Sequence, residues 1–509
     1  MSGVSKVLSA APVGFDGSLI EVECDIKNGL PSLQIVGMGN KAIDEAKERV
    51  RSAITNSLLD FPTKKLVVNL APAELPKDGS HYDLPIALAI LVSSGQLLAT
   101  EVSEAIFAGE LALDGTLRPI KGVVSIAETA HHHGCHTIYV PAINAEQASL
   151  VDDLEVIGVA NLKELFLHLK HEQRLPIFTP AVAIPPRSTP VASHLPLLDD
   201  IHGQEQAKRA IAIAAAGRHN ILLTGSPGAG KTMLAQTLLS LLPPLDRSEQ
   251  IAVTKLHSLS GDVIDGIVNE RPFRSPHHTA SRIALIGGGN RPKPGEVSLA
   301  HLGVLFLDEL PEYPRAVLES LRQPLEDKRV SISRANGHVV YPADFMMVAT
   351  MNPCPCGYLG DEKRECTCTS NQILAYQQRL SGPLLDRIDL VVSVKRVPNE
   401  ALLESKPMTS IQHKKTVENI KNATSLQHSR YKSSIVNNSN LSSREVNRQI
   451  YLSPSVRTIL AQAAERLNVS ARSYFKIIKV ARTIADLEGS QQIRPEHVAE
   501  ALQYRLITS

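Results

Sequence analysis

The stretch 220–242 places the strongest constraint on the fold of this chain. Its central residues are Gly225, Ser226, Pro227, Gly228, Ala229, Gly230, Lys231 and Thr232. The short apolar run 221–223 precedes them and is typical of a buried parallel strand. Apolar residues at helical spacing follow over 233–239, and Pro243 ends that helix. A strand, a G-x-x-x-x-G-K-T sequence and a helix in this order predict a phosphate-binding loop.

The residue types of this phosphate loop, residues 225–232, fit the chemistry of a bound triphosphate. Glycines let backbone N–H groups turn inward around a phosphate, and the helix N-terminus adds partial positive charge. Lys231 is expected to reach the β and γ phosphates, and the Thr232 hydroxyl is expected to bind Mg²⁺. Nucleotide binding is therefore predicted, with ATP and Mg²⁺ as the cofactors.

Length and composition bound the remaining possibilities. A chain of 509 residues, 43% hydrophobic and 21% charged, is typical of a globular protein with roughly two or three domains. The net charge of +1 gives no global attraction to nucleic acid or membrane, so any basic surface must be local. The chain shows no signal-peptide pattern and no run of about 18 apolar residues, so we expect a cytoplasmic protein that does not bind membranes.

The first third of the chain is predicted to be an α/β domain, residues 1–170. Its elements, chosen by apolar periodicity, are strands over 18–25, 33–36 and 65–70 and helices over 41–58 and 84–94. The proline-rich stretch 171–196 is interpreted as a semi-rigid linker to the second domain.

A segment of this first domain resembles the nucleophile segment of Lon-type proteases. The segment consists of Pro76, Lys77, Asp78, Gly79, Ser80, His81, Tyr82 and Asp83. The stretch 119–134 is similar to the Lon segment that carries the catalytic lysine. In register, the Lon serine falls on His81 and the Lon lysine falls on Val124. Because a Ser–Lys mechanism needs both partners, we predict a Lon-like fold without peptidase activity.

Beyond the phosphate loop, two apolar runs end in polar residues. The run 303–307 leads directly into Asp308 and Glu309, and the run 346–350 ends just before Asn352. This order resembles the Walker B and sensor 1 motifs of AAA+ ATPases. The resemblance implies that Asp308 holds Mg²⁺ through water, that Glu309 polarises the attacking water and that Asn352 faces the γ phosphate.

Three further segments resemble AAA+ motifs. The dipeptide Gly203-Gln204 resembles a box near the adenine. The run 384–390 resembles the box that carries the arginine finger in the clade of Mg-chelatase and MCM motors. That resemblance implies that Arg387 reaches the ATP of a neighbouring subunit and stabilises transition-state charge. The run 469–472 resembles sensor 2, which implies that Arg472 is a second phosphate contact.

Residues 327–341 alternate in polarity around Asn336-Gly337, which predicts a β-hairpin that turns at this dipeptide. The hairpin precedes sensor 1, where this clade places the hairpin that grips DNA in the ring pore. We expect basic side chains here to project into a central channel and to contact phosphates, together with a cation of the glycine-rich loop 287–296. The residues expected to contact DNA are Lys293, Lys328, Arg329 and Arg334.

Four of the six cysteines cluster in one short loop, residues 354–368. They are Cys354, Cys356, Cys366 and Cys368. Such a cluster favours a tetrahedral Zn²⁺ site, although each pair has C-x-C spacing rather than the common C-x₂-C. Reduced structural thiols and an oxidation-sensitive pair are the alternatives to zinc.

Taken together, these segments resemble the YifB/ComM family of Mg-chelatase-like AAA+ ATPases. The segments that carry the resemblance are GSPGAGKT (225–232), RPFRSPHHT (271–279), PKPGE (292–296), NPCPCG (352–357), RLSGPLLDRIDL (379–390) and SARSYFKIIKVARTIADL (470–487). The resemblance implies a homohexameric ATP hydrolase and DNA helicase. It would act on single-stranded and branched DNA and drive branch migration while DNA from natural transformation is recombined.

The implied fold class is α/β, because both the Lon-like domain and the AAA+ core are α/β, and a helical lid follows them. The implied architecture consists of the Lon-like domain 1–170, the linker 171–196, an AAA+ P-loop core over 197–400 and a helical lid over 401–509. The alternative function is a Mg-chelatase-type motor subunit or a protein-remodelling ATPase. Against the chelatase alternative, no integrin-type metal-binding domain is fused here. A non-motor scaffold is opposed by the intact Lys231, Glu309 and Arg387.

Overall fold

The computed structural model describes residues 4–37, 40–75, 77, 79–179, 195–263, 265–289, 292–334, 337–361, 363–397, 410–433, 436–466 and 470–505. For residues 40–44, 334 and 337 the description is limited to the backbone. Most of the predicted linker and the residues 335–336 of the predicted hairpin lie outside this part. No helix within the described ranges is long and apolar enough to cross a bilayer.

The N-terminal part is built on one large sheet. Its strands are β1 (Ser5–Val13), β2 (Asp16–Lys27), β3 (Ser32–Val36), β4 (Lys65–Ala71), β5 (Ala105–Phe107), β6 (Glu110–Leu111), β7 (Leu117–Arg118), β8 (Thr137–Pro141) and β9 (Glu155–Val159). The sheet has seven strands in the order β3-β4-β2-β1-β5-β8-β9, and β6 pairs with β7 separately. The β1–β2 and β2–β4 pairs are antiparallel, whereas the other pairs of the sheet are parallel.

Helices cover both faces of this sheet. They are α1 (Asn40–Asn56), α2 (Asp83–Ser93), α3 (Val123–His132), α4 (Ala145–Ala148) and α5 (Leu162–Leu169). Helices α1, α2 and α5 pack into one apolar cluster, and α3 and α4 pack into another on the opposite face. The predicted strands and helices of this domain are present. The central strand of the sheet, β1, was not predicted. The segment of β1 was missed because its small and polar residues give a weak strand pattern.

The second part is built on a parallel sheet. Its strands are β10 (Ile221–Thr224), β11 (Phe273–Arg274), β12 (Gly287–Gly288), β13 (Lys293–Pro294), β14 (Val304–Leu307), β15 (Arg329–Arg334), β16 (Gly337–Pro342), β17 (Met346–Met351) and β18 (Leu390–Ser393). Five of them form the sheet in the order β11-β14-β17-β10-β18, with all pairs parallel. Because the strands are parallel, their carboxyl ends meet at one edge, where α/β proteins place their ligands.

Helices surround this sheet and form the C-terminal part of the chain. Around the sheet lie α6 (Glu205–Gly217), α7 (Lys231–Leu241), α8 (Arg247–Ser260), α9 (Arg282–Ile286), α10 (Glu296–Leu299), α11 (Arg315–Ser320), α12 (Arg322–Asp327), α13 (Ser370–Gln377) and α14 (Gly382–Leu385). The C-terminal helices are α15 (Ile411–Tyr431), α16 (Ser443–Gln449), α17 (Pro454–Arg466), α18 (Ala471–Leu487) and α19 (Pro495–Gln503). Helices α15 and α18 pack against α6, so the lid shares an apolar core with the sheet.

The hairpin β15–β16 differs from its prediction in register. Arg334 pairs with Gly337 and Ser333 pairs with His338. Gly337 therefore belongs to strand β16, whereas the prediction placed it in the turn, and Asn336 lies outside the described residues. Val330 and Ile332 are both buried and face the core from the same side of β15.

The N-terminal domain packs against the second domain at several points. The buried Lys255 on α8 forms an ion pair with Glu128, and its ammonium lies 4.0 Å from the centre of the Phe15 ring. In the turn between β1 and β2, a Cβ atom added to Gly14 would lie 2.5 Å from Val339 Cγ1. The first domain therefore contacts strand β16 of the hairpin directly.

Candidate functional site

The phosphate loop joins the carboxyl end of β10 to the N-terminus of α7. The Gly225 N–H donates to the Met351 carbonyl at 3.2 Å, which fixes the start of the loop to the neighbouring strand β17. Gly228 and Gly230 have φ values of 76° and 89°, a backbone region that favours glycine. The loop residues predicted from the sequence thus lie at a helix N-terminus, which is a ready site for an anion.

Lys231 lies between the loop and strand β17. Its Nζ donates to the carbonyl oxygens of Gly225 at 2.6 Å and Ser226 at 3.1 Å, and to Asn352 Oδ1 at 3.0 Å. Burial lowers the pKa of Lys231, while the nearby carboxylates of Asp308 and Glu309 act in the opposite direction. The structure therefore brings the predicted phosphate cation and the predicted sensor 1 residue into direct contact.

The carboxylates after β14 are fixed by a residue that the sequence did not single out. Thr350 is buried in β17, and its hydroxyl donates to Asp308 Oδ1 at 2.5 Å while accepting from the Glu309 N–H at 3.0 Å. Glu309 has a φ of 51°, an uncommon conformation for a non-glycine residue that recurs at functional sites. The Asp308 and Thr232 side chains are both exposed at this edge, where they can bind a cation. The sequence feature that could have identified Thr350 is its hydroxyl group, since the rest of strand β17 is apolar.

Two residues lie at the rim of the phosphate loop, and one of them, Gln204, belongs to the predicted box near the adenine. Gln204 Nε2 donates to the Ala229 carbonyl at 2.7 Å and to the Lys395 carbonyl at 3.1 Å. A guanidinium nitrogen of Arg396 lies 3.7 Å from the position that a Cβ atom on Gly228 would take. Arg396 was missed because an isolated arginine without a motif carries no signal in the sequence.

Comparison with known proteins decides the family. Residues 197–402 match the family described as Magnesium chelatase, subunit ChlI, and residues 22–144 and 411–505 match two further ChlI families. The chain is 42% identical over 503 residues to Competence protein ComM of Haemophilus influenzae, which covers 98% of this chain and 97% of that protein. The chain belongs to the YifB/ComM family of Mg-chelatase-like AAA+ ATPases.

Two other relatives complete the comparison of this YifB/ComM family member. It is 41% identical over 513 residues to the uncharacterized protein YifB of Escherichia coli, covering 99% of this chain and 97% of that protein. It is also 29% identical over 203 residues to Lon protease of Chloroflexus aurantiacus, covering 35% of this chain and 24% of the protease. The predicted architecture of a Lon-like α/β domain, an AAA+ core and a helical C-terminal region is confirmed.

The Lon-like domain of this family member places the aligned residues in its interior. His81 is buried, and this burial lowers the pKa of His81 to about 4. Val124 is fully buried in the apolar cluster under α3. The adjacent Ser80 hydroxyl donates to the Glu110 carboxylate. The aligned positions thus carry packing residues, and the absence of peptidase activity stays a prediction.

The cysteine loop, residues 354–368, brings four thiol sulfurs together. The sulfur atoms of Cys354, Cys356, Cys366 and Cys368 all lie within 4.8 Å of one another. The Sγ atoms of Cys354 and Cys356 are 3.4 Å apart, and each lies 3.6 Å from Cys366 Sγ. Thiolates at about 2.3 Å from one tetrahedral zinc ion are separated by about 3.8 Å, so this donor set fits a metal.

The cysteine loop also contacts the phosphate loop. It begins two residues after Asn352, and Gly357 lies so close to Pro227 that an added Cβ atom would be 2.6 Å from Pro227 Cδ. A backbone hydrogen bond from Tyr358 lowers the pKa of Cys356 to about 6, whereas desolvation and hydrogen bonds from neighbouring cysteines raise the pKa of Cys366 and of Cys368. The shape of the cysteine loop therefore bears on the position of the phosphate loop.

The predicted arginine finger Arg387 and the predicted second phosphate contact Arg472 lie at the opposite edge of the sheet. The Arg387 carbonyl accepts from Asn220 Nδ2 at 2.9 Å, at the amino end of β10. The four residues of β10 separate this point from the phosphate loop by about 13 Å. The Arg387 guanidinium is bonded to Glu326, and Arg472 lies 3.6 Å from the other oxygen of the same carboxylate. Both arginines thus belong to one surface that faces away from their own phosphate loop.

The basic residues predicted to contact DNA are not equivalent. Arg329 and Lys293 are exposed, and the side chain of Arg334 lies outside the described part. Lys328 caps α12 in a left-handed conformation and pairs with Asp344 at 3.2 Å. The hairpin packs against the loop of Lys293, since the Tyr341 hydroxyl donates to the Pro292 carbonyl at 2.8 Å. Lys328 is therefore paired within its own subunit, and all four DNA contacts stay predictions.

Proposed function

We propose that this chain is an ATP-driven hexameric DNA translocase with a ComM-like role. It promotes branch migration while single-stranded DNA taken up in natural transformation recombines with the chromosome. The observation that carries this proposal is the similarity to Competence protein ComM, at 42% identity over 98% of the chain. The nucleotide site supports it, because Lys231, Asp308 and Glu309 are fixed in place by their contacts with Asn352 and Thr350.

The residues at the carboxyl edge of the sheet suit ATP hydrolysis. Lys231 binds the β and γ phosphates, and Thr232 and Asp308 hold Mg²⁺, which neutralises phosphate charge when bound. Glu309 accepts a proton from the attacking water, and Asn352 orients that water against the γ phosphate. The same reaction needs a further cation that stabilises the charge developing on the γ phosphate.

A ring of identical subunits supplies the missing cation. Arg387 lies about 13 Å from its own phosphate loop, at the other edge of the sheet. In a homohexamer the finger of one subunit reaches the nucleotide of the next, as the family resemblance implies. We therefore propose that the active sites form between subunits and that the protein works in the cytoplasm.

DNA-stimulated ATP hydrolysis tests the proposed function. The full chain should hydrolyse ATP faster with forked or single-stranded DNA and should bind that DNA with a non-hydrolysable ATP analogue. The alternative function is a Mg-chelatase-type motor or a protein-remodelling ATPase. The matches to Mg-chelatase subunit families support the chelatase-type alternative. An ATPase that ignores DNA at every salt concentration would support that alternative.

Removal of two hairpin cations is expected to weaken DNA binding without regard to sequence. Arg329→Ala combined with Arg334→Ala should reduce affinity about equally for unrelated sequences and lower the log–log salt slope by about 0.7 to 0.9 for each lost phosphate contact. Basal ATP hydrolysis should persist because the hairpin lies outside the nucleotide site. Arg457→Ala, at an exposed arginine of α17, is the control and should leave the salt slope unchanged. Wild-type unwinding of forked DNA by the double variant would assign the hairpin a structural role.

We propose that the cysteine loop binds Zn²⁺. Purified untagged protein is expected to contain about one zinc ion per chain by elemental analysis, because a closed four-thiolate site holds one tetrahedral ion. Cys366→Ser should lose the zinc, whereas Cys24→Ser, at an isolated buried thiol, should retain it. ATP affinity should fall with the zinc, since Gly357 packs against Pro227. Metal-free wild-type protein with full ATP affinity would instead favour structural thiols.

A further inference from the structure

One carboxylate contacts both Arg387, which the family resemblance assigns to the neighbouring nucleotide, and Arg472, which it assigns to a phosphate contact. Glu326 Oε2 bonds to Arg387 Nη2, and Glu326 Oε1 lies 3.6 Å from Arg472 Nη2. These arginines come from distant parts of the chain. Arg387 lies just after α14, and Arg472 lies in the first turn of α18. Glu326 lies on neither segment, and none of the sequence motifs includes it.

Further bonds attach the finger to the helix of Glu326. Arg387 Nε donates to the Arg322 carbonyl at 2.9 Å, and Arg322 begins the helix α12 that carries Glu326. Arg387 Nη1 donates to the Pro383 carbonyl at 2.6 Å within its own segment. Two of the three partners of the guanidinium therefore belong to α12.

Helix α12 continues almost directly into the hairpin β15–β16. The helix ends at Asp327, Lys328 caps it and β15 begins at Arg329. The Ala343 N–H donates to the Lys328 carbonyl at 2.8 Å. Ala343 directly follows β16, so the helix cap is bonded to both strands at the base of the hairpin. A shift of α12 must therefore move the base of the hairpin.

Glu326 holds its two partners only weakly. Its one carboxylate contacts two guanidinium groups, and the cavity around them, about 670 Å³, is lined by two further cations, Lys476 and Lys479, and by the carboxylates of Asp344, Asp386 and Asp389. The Glu326 side chain is 54% exposed, so water weakens its hold on the arginines. A triphosphate carries more negative charge than one carboxylate and offers bidentate acceptors to arginine, so it competes effectively for both.

We propose that Glu326 is a positioning residue that binds Arg387 and Arg472 until the triphosphate of the neighbouring subunit displaces it. The proposal rests on the proposed function, because it requires a ring in which both arginines reach a neighbour's ATP. When the arginines leave Glu326, α12 is released and the hairpin shifts. In the reverse direction, DNA bound to the hairpin moves α12, withdraws Glu326 and frees the arginines for hydrolysis. The two effects are one coupling and must be equal in binding free energy.

Glu326→Gln in the full chain tests this inference, because glutamine keeps the shape of the side chain and removes its charge. Basal kcat without DNA is expected to rise about two- to five-fold, the range that corresponds to release of a surface ion pair. The further stimulation by forked DNA should largely disappear, since the arginines are already free. DNA affinity should also stop responding to a non-hydrolysable ATP analogue.

Asp327→Asn is the matched control. Asp327 is the next residue on α12, and its carboxylate accepts from Gln323 Nε2 at 3.1 Å rather than from either arginine. This variant should keep wild-type basal rates and wild-type stimulation by DNA.

Two outcomes would overturn the inference. Basal and DNA-stimulated rates that fall together, as after loss of Arg387, would show that Glu326 only aligns that arginine. Rates and DNA affinities equal to those of Asp327→Asn would show that the contact has no effect. If the wild-type chain ignores DNA, the proposed function fails, while the basal rate of Glu326→Gln still decides whether this carboxylate restrains the arginines.

Discussion

Replacing Glu309 by glutamine is expected to stop ATP hydrolysis while sparing ATP binding. The Glu309 carboxylate is exposed next to the phosphate loop, with its backbone fixed by Thr350. Loss of a general base typically lowers kcat by about 10² to 10⁴, and the amide cannot accept the proton from water. The variant should therefore accumulate ATP-bound rings, which filter binding and single-turnover kinetics can measure.

The Lys231→Ala variant should behave differently from Glu309→Gln. Lys231 contacts the loop carbonyls and Asn352, so its loss removes the phosphate cation and leaves these acceptors unpaired. ATP affinity and hydrolysis should both fall. Glu312→Gln, at a carboxylate that pairs with Arg379 at 3.0 Å, is the control and should retain activity. An equal loss of ATP affinity in the Lys231 and Glu309 variants would contradict the role given to Glu309.

Arg387→Ala is expected to abolish hydrolysis in the homomeric ring and to leave ATP binding mostly intact. An arginine finger contributes about 10³ to 10⁵ in kcat, and Arg387 lies at the edge of the sheet opposite its own phosphate loop. The loss should therefore appear in kcat rather than in the affinity for ATP. Arg379→Ala, at a nearby exposed arginine, serves as the control.

Mixing two inactive variants provides the sharper test of action between subunits. Arg387→Ala subunits retain Glu309, and Glu309→Gln subunits retain Arg387. In mixed rings, some interfaces combine an intact Glu309 with an intact Arg387 from the next subunit, and hydrolysis should return there. Recovery should peak at intermediate ratios. If no ratio restores activity, Arg387 does not act on a neighbour's nucleotide.

Local sequence patterns determined the nucleotide-binding half of the site. Strand β10, the loop 225–232 and helix α7 were predictable because each depends on neighbours a few residues away, including the glycines that adopt positive φ. Strands β14 and β17 were predictable as apolar runs because parallel strands are buried on both faces. Asp308 and Asn352 follow these runs. Because the carboxyl ends of parallel strands lie at one edge of the sheet, the pattern also predicted that the two residues lie at the same edge.

Only the tertiary structure decided which distant groups meet. Thr350 holds Asp308 and the backbone of Glu309 because β17 lies beside β14 in the sheet, although Thr350 follows Asp308 by 42 residues in the chain. The contact of Gly357 with Pro227 and the pairing of Lys328 with Asp344 have the same origin.

The meeting of Arg387 and Arg472 at Glu326 shows this division most clearly. Each arginine was found through its own motif, whereas Glu326 has no motif and lies on a helix that was not predicted. Its role depends on three segments packing together at the amino edge of the sheet. Sequence periodicity reports which residues are buried and which backbone they adopt, because these properties are local. It carries no information on which exposed charges become neighbours, since that depends on the packing of elements far apart in the chain.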